Sequence, residues 1–261
     1  MVSLAANLSM LFTEHDFLDR FAHAREAGFR AVEFLFPYDH SPEAVAEAAK
    51  EAGVAIVLFN CPPGDWDAGE RGTAALPARL SECRAGIDKA LSYAKALSCP
   101  RLHLMGGVVG SKIDAADAHR TYIDNVRYAA DRAAESCRTI CIEPLNSRDV
   151  PGYIVATTDR AAEIIAEIDR PNVRLQFDFY HAQIMEGDLI TRLHRHFNLI
   201  GHVQIAGVPD RHEPDLGEIA PHVLLSVLDD IGYSGHVGCE YRPAAGTLAG
   251  LGWASDYLTL A

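Results

Sequence analysis

Three acids and one amide in this 261-residue chain stand at or near the ends of runs that read as β-strands. Glu143 closes RTICIE (138–143), Asp178 closes VRLQFD (173–178), Gln204 lies in IGHVQI (200–205) and Glu240 closes HVGCE (236–240). Each can ligate a hard cation or, if an acid, move a proton. Ionised carboxylates pressed together repel strongly, and a divalent cation with oxygen ligands relieves that repulsion. An oxygen-rich set suits Mg²⁺ or Mn²⁺. The plainer reading of any one acid is a partly buried carboxylate paired with an arginine or a backbone amide. Four such residues at equivalent strand ends favour a site. His181, three residues after Asp178, is placed to hydrogen-bond a substrate oxygen or to cap the next helix. Arg211, in PDRHEP, is a fork for a substrate carboxylate or hydroxyls, or else a loop residue paired with Asp210, Glu213 or Asp215. His103 and His202 alternate with apolar neighbours inside strands and read as satisfied core histidines. Trp66 and Phe12 read as packing before they read as pocket walls.

The elements that must position these groups follow a regular order. Eight β-rich runs occur, at 2–8, 30–36, 54–60, 101–106, 138–143, 173–178, 200–205 and 236–240. Helical spacing fills the segments between them. The segment 41–53 has Ser41 as N-cap, Pro42 in the first turn and Gly53 as terminator. In 115–136, Ala118, Tyr122, Val126 and Ala129 share one face. The segment 157–169 opens on Thr157 or Thr158, whose hydroxyl caps the first turn. Strands alternating with crossover helices imply a parallel sheet. Eight units predict a closed (β/α)8 TIM barrel, with 1–261 as a single domain, better than an open doubly wound sheet. No GxGxxG or GxxxxGK[ST] follows the first strand, as an open nucleotide-binding sheet would favour. The long connections 61–79, 144–156 and 206–219 follow strand C-termini, the barrel face where sites are built, and suit a substrate lid.

Composition narrows the partners. With 49% hydrophobic and 23% charged residues the chain is in the soluble globular class, not collagen-like, disordered or a disulfide scaffold. Lys plus Arg number 23 against 36 Asp plus Glu, a formal net charge of −13. Such a chain repels nucleic acid and anionic membrane, so neither is an expected partner. No apolar run approaches the roughly 20 residues of a membrane helix, and MVSLAANLSML lacks the features of a secretory signal. The six cysteines show no CxxC spacing and read as buried free thiols of a cytoplasmic protein.

Over essentially its whole length the chain resembles the hydroxypyruvate isomerase family, within the xylose-isomerase-like barrels. The marks are AANLSMLF (5–12), GFRAVEFLFPYD (28–39), PPGDWDAGERG (62–72), the IEP of the fifth strand, YHAQ after the sixth, HVQIAG (202–207) and IGYSGHVGCEYRP (231–243). HVQIAGVPDRHEPDLGEI resembles the branch that isomerises 2-oxo-tetronates, whereas IEPLNSRDVPGY resembles the hydroxypyruvate branch. The branch stays open on these marks. The resemblance implies that Glu143 and Glu240 are the proton donor and acceptor, and that Glu143, Asp178, Gln204 and Glu240 are the metal positions. Gln204 stands where related sugar isomerases and epimerases carry a histidine, and an amide oxygen is a weaker ligand than imidazole.

The implied reaction is isomerisation of a small 2-oxo-3-hydroxy acid: hydroxypyruvate to tartronate semialdehyde, or the four-carbon homologue. One glutamate takes a proton from C3, a cation and donors such as His181 stabilise the enediolate, and the other glutamate returns a proton at C2. Arg211 then holds a substrate oxygen or carboxylate, and a metal-assisted hydride shift is the alternative path. Other readings are a ketose 3-epimerase, an abasic-site endonuclease, which predicts a histidine-rich cluster and a basic groove, and a non-catalytic binding barrel. A homo-oligomer is compatible with all of them.

Overall fold

The side chains of this barrel alternate in a way that explains both its core and its site. In the computed structural model, which describes residues 2–258, eight parallel strands close on themselves in the order β1 to β8. They are β1 (Ser3–Asn7), β2 (Ala31–Phe34), β3 (Ala55–Asn60), β4 (Arg101–His103), β5 (Thr139–Ile142), β6 (Val173–Asp178), β7 (Ile200–Ile205) and β8 (His236–Cys239). Pairing of Ser3 with His236 through Ala6 with Cys239 closes the ring, which settles the choice between a closed barrel and an open sheet.

Between strands run α1 (Arg20–Glu26), α2 (Pro42–Ala52), α3 (Leu80–Ala96), α4 (Ala115–Ala134), α5 (Thr158–Ile168), α6 (Phe179–Met185), α7 (Leu189–His196) and α8 (Pro221–Asp230). Local chemistry sets their ends. Ser41 Oγ accepts from the Ala44 N–H, and Gly53 ends α2 at a left-handed φ of 67°. Thr157 accepts from the Arg160 N–H to open α5. In α4 the expected face is buried at Ala118, Tyr122, Val126 and Ala129.

Successive strand residues point to opposite faces. The outward set (Val32 and Phe34; Leu175 and Phe177; Val203 and Ile205) joins the helices in one apolar cluster. Inside the barrel, Ala5, Ala31 and Val57 form a separate small cluster. Two residues further along β1 and β2 the inner face turns polar, with Asn7 paired in register with Glu33. Gln176 and Asp178 pair with His202 and Gln204 in the same way. One half of the barrel interior is therefore apolar and the half toward the strand C-termini is polar.

Two expectations are corrected. Strand four stops at His103, so residues 104–106 leave the sheet. Cys137 is exposed at the end of α4, while Cys61, Cys83, Cys99, Cys141 and Cys239 are buried free thiols. No described helix is long and apolar enough to cross a membrane.

Candidate active site

A cavity of about 1090 Å³ opens at the C-terminal ends of the strands. Glu143 and Glu240, each one residue past its strand, line it together with His181 and Arg211. Asp178, the last residue of β6, caps α6 by accepting from the Tyr180 N–H at 2.8 Å. Glu143, Asp178 and Glu240 are all buried, at 4%, 3% and 7% exposure, so each carboxylate has lost most of its hydration.

That loss is visible in their acidities. Burial, reinforced by Glu240 and Asp178, pushes the Glu143 carboxyl well above the usual range. Burial raises Glu240 to about 8 although Arg211 pulls the other way. Asp178 rises to about 6, again by burial against the pull of Arg211.

Arg211 is the cation set among these acids. Its Nη2 donates to Glu240 Oε2 at 2.8 Å and lies 3.6 Å from Asp178 Oδ2. Burial lowers its pKa, but Glu240, Asp178 and Glu143 together more than reverse that. The guanidinium lies 4.8 Å from the Tyr180 ring centre. Arg211 itself holds a φ of 59°, a left-handed conformation costing about 1 kcal/mol in a non-glycine residue. Its N–H donates to Gly207 O and its carbonyl accepts from the Arg242 N–H. The loop-pairing alternative fails for one nearby acid: Glu213 instead accepts from the Ala244 N–H and ties the 206–219 loop to the exit of β8.

His181 has a fixed tautomer. Its Nδ1 accepts from the Asn146 backbone N–H at 3.0 Å, a donor that cannot reverse, so the neutral ring carries its proton on Nε2. Burial and Arg211 hold the imidazole neutral by lowering its pKa well below the usual value. Nε2 faces Asp178 Oδ2 at 3.6 Å and Glu143 Oε1 at 3.9 Å. Glu143, Asp178 and His181 bring ligand-type atoms within 4.8 Å of one another. A protonated Nε2 offers no lone pair, so His181 is a hydrogen-bond donor to this site and not a ligand.

The oxygens fit a hard cation. Glu143 Oε1 and Asp178 Oδ2 are buried without a hydrogen-bond partner. A buried carboxylate oxygen left unpaired is costly, and a hard cation such as Mg²⁺ or Mn²⁺ would satisfy it. Gln204, in register with Asp178, accepts from Gln176 Nε2 at 2.6 Å and donates to Glu33 Oε1 at 2.7 Å. One lone pair of its amide oxygen is left over.

Sequence reasoning missed the residues beneath this rim. Glu33 is fully buried, accepts from Asn7 Nδ2 at 3.0 Å and from Gln204, and meets His202 Nε2 at 2.6 Å. By accepting from the Gln204 NH₂, Glu33 leaves the amide oxygen turned toward Gln176. An acid flanked by Val32 and Phe34 in a barrel strand was the available signal. Gly238 leaves the room for it, since a Cβ there would overlap both Glu33 oxygens. His103 also departs from expectation: it lines the cavity 3.4 Å from Glu143 Oε2, and neither ring nitrogen has a hydrogen-bond partner. Burial lowers its pKa to about 3, so it is neutral. His202 is buried but lines the barrel interior, with Nε2 against Glu33 and Nδ1 without a hydrogen-bond partner, so it is not the satisfied core histidine expected. Trp66 walls the cavity and Phe12 packs in the core.

Carboxylates at the strand C-termini of a closed eight-stranded barrel define a class of enzymes, and the comparisons agree. A family model described as xylose isomerase-like TIM barrel matches residues 21–257, and the chain belongs to that family. Over 99% of both chains it is 50% identical to the 2-oxo-tetronate isomerase of Cupriavidus necator. It is 41% identical to the hydroxypyruvate isomerase of Escherichia coli K12, over 98% of this chain and 100% of that one. A crystal structure titled AP endonuclease, family 2, from Brucella melitensis superposes with a TM-score of 0.97 at 49% identity, covering 99% of this chain and 100% of that chain.

Proposed function

We propose that the chain isomerises a small 2-oxo-3-hydroxy acid, with the four-carbon 2-oxo-tetronate ahead of hydroxypyruvate. The observation that carries this reading is the pair Glu143 and Glu240, both buried, both raised in pKa and both lining one cavity. The names of the relatives support the substrate class, and the higher identity to the tetronate enzyme supports the longer acid.

Moving a carbonyl from C2 to C3 needs no redox partner. One glutamate removes the C3 proton, the other returns a proton to C2, and the hydroxyl proton passes from O3 to O2. A carboxyl that both holds and releases a proton near neutral pH works best with a raised pKa, and burial supplies it. His181 Nε2–H is aimed into the same cavity and donates to the oxygen on which charge develops. Its neutral state matters here, because a neutral donor stabilises charge without protonating it outright. Arg211 keeps Glu240 in place. Mg²⁺ or Mn²⁺ held by Glu143, Asp178, Glu240 and the spare lone pair of Gln204 would polarise the substrate carbonyl. The five buried free thiols support a reducing, cytoplasmic setting.

A coupled assay offering 2-oxo-tetronate, hydroxypyruvate and a free ketose, with and without chelator, tests the reading. Turnover of the oxo acids is expected, and turnover of the ketose alone refutes it. In heavy water the proton relay places deuterium at C2, whereas a hydride shift places none.

A further inference from the structure

Arg71 is a cation of the cavity wall with no acid of its own. It lies in the 61–79 connection, lining the same cavity as Glu143 and Glu240. Its guanidinium stacks on Trp66, with Cζ 3.7 Å from the ring centre. Nη1 donates to the carbonyls of Trp66 at 3.1 Å and Glu70 at 2.7 Å. The Nε and Nη2 donors make no hydrogen bond among the described residues, so one edge of the fork is free.

The neighbouring carboxylate is turned away. Glu70 pairs with Arg79 and accepts from the Asp65 N–H at 2.6 Å. The other guanidiniums of the cavity differ from Arg71. Arg211 is matched by Glu240 and Asp178, and Arg148 sits beside Asp149. Arg242 is exposed. Arg71 alone of these is half-buried and lacks a carboxylate within ion-pair distance among the described residues.

The loop holds it firmly. Gly72 sits at a φ of 106°, where a Cβ would overlap the backbone of Met105, and it bridges to Gly106 just past β4. A guanidinium fixed in advance with two parallel donors unused is built for a carboxylate.

Resting on the oxo-acid reading above, we propose that Arg71 binds the substrate's carboxylate and so selects an acid over a neutral sugar. Arg211, already engaged by Glu240 and Asp178, is left to hold Glu240. The free edge of Arg71 takes the two carboxylate oxygens side-on, and the ring of Trp66 keeps the fork flat.

The test compares wild type with Arg71→Met and Arg71→Lys. The substrates are the 2-oxo-3-hydroxy acid and the ketose in which hydroxymethyl replaces its carboxylate. Arg71→Met is expected to lower kcat/KM for the acid about 100-fold and to leave the ketose within about threefold, because a charge-assisted pair is lost for the acid alone. Arg71→Lys restores the charge without the fork and is expected to fall between. A calorimetric titration with tartronate, a three-carbon hydroxy dicarboxylate that presents a carboxylate and needs no turnover, is expected to show the same loss of affinity. The proposal is overturned if Arg71→Met leaves tartronate binding and acid turnover unchanged, or lowers acid and ketose in equal proportion. If wild type turns over no oxo acid, the functional reading fails, and tartronate binding still decides Arg71 separately.

Discussion

Replacing Glu240 by glutamine tests the electrostatic basis of the site through stability, independently of any substrate. Burial raises the folded-state pKa of Glu240 from its ordinary 4.5 to about 8. Between those values the folded chain holds one more proton than the unfolded chain. A raised carboxyl pKa therefore gives stability that is complete below about 4.5 and is lost as pH rises toward 8. Glutamine does not titrate. The stability of Glu240→Gln relative to wild type should then increase about tenfold in the folding equilibrium per pH unit. From pH 5 to pH 7 the change is about 100-fold, or about 3 kcal/mol. Glu143 and Asp178 titrate in both proteins and cancel in the difference, since Glu240 is uncharged in the folded state over this window. The altered hydrogen bond from Arg211 to residue 240 offsets the variant by a constant, so the slope and not the intercept carries the result. Urea unfolding of both proteins with chelator at pH 5, 6 and 7 measures it, provided the m-values agree. Parallel stability curves would mean that Glu240 ionises normally in the fold, and would refute the argument that burial prepares it to hold a proton.

Three further outcomes are expected. His181→Ala should lower kcat of the isomerisation about 100-fold or more with little change in KM, because the Nε2–H acts mainly on developing charge; a change confined to KM would count against that role. Gly238→Ala should cost about 1–3 kcal/mol of stability by driving a methyl into the Glu33 carboxylate, and urea unfolding showing no loss would mean that Glu33 is free to move. Glu33→Gln, which can donate as well as accept, should let the Gln204 amide reverse and weaken Mn²⁺ binding about 10- to 100-fold by electron paramagnetic resonance titration; unchanged affinity would remove Glu33 from that role.

The sequence showed some of these groups clearly and hid others for identifiable reasons. Glu143, Asp178 and Glu240 were legible because each ends an apolar run, and a period of two with a terminal acid is a local pattern. Ser41, Gly53 and Thr157 were legible for the same reason: a cap acts within four residues of itself. His103 was misread because alternation says which face a residue takes and not how far along the barrel it lies. Glu33 was passed over as a strand residue, although a lone acid between Val32 and Phe34 was the clue. Arg71 carried no signal, since its meaning depends on Glu70 turning to Arg79 instead.

The chain's own order of residues was enough to indicate eight strand–helix units and the acids at strand ends, while the pairing of β1 with β8 decided that the sheet closes. The units and their terminal acids follow from periodicity and capping, which are set by near neighbours. Tertiary structure alone decided which atom of each group faces the cavity. Glu33 orients Gln204 across 171 positions of sequence, and Asn146 fixes the His181 tautomer across 35. Arg211 meets Glu240 across 29 positions from a loop with no regular period. The protonation states of the site are of this kind too, because they depend on how completely water is excluded, and only the closed barrel excludes it.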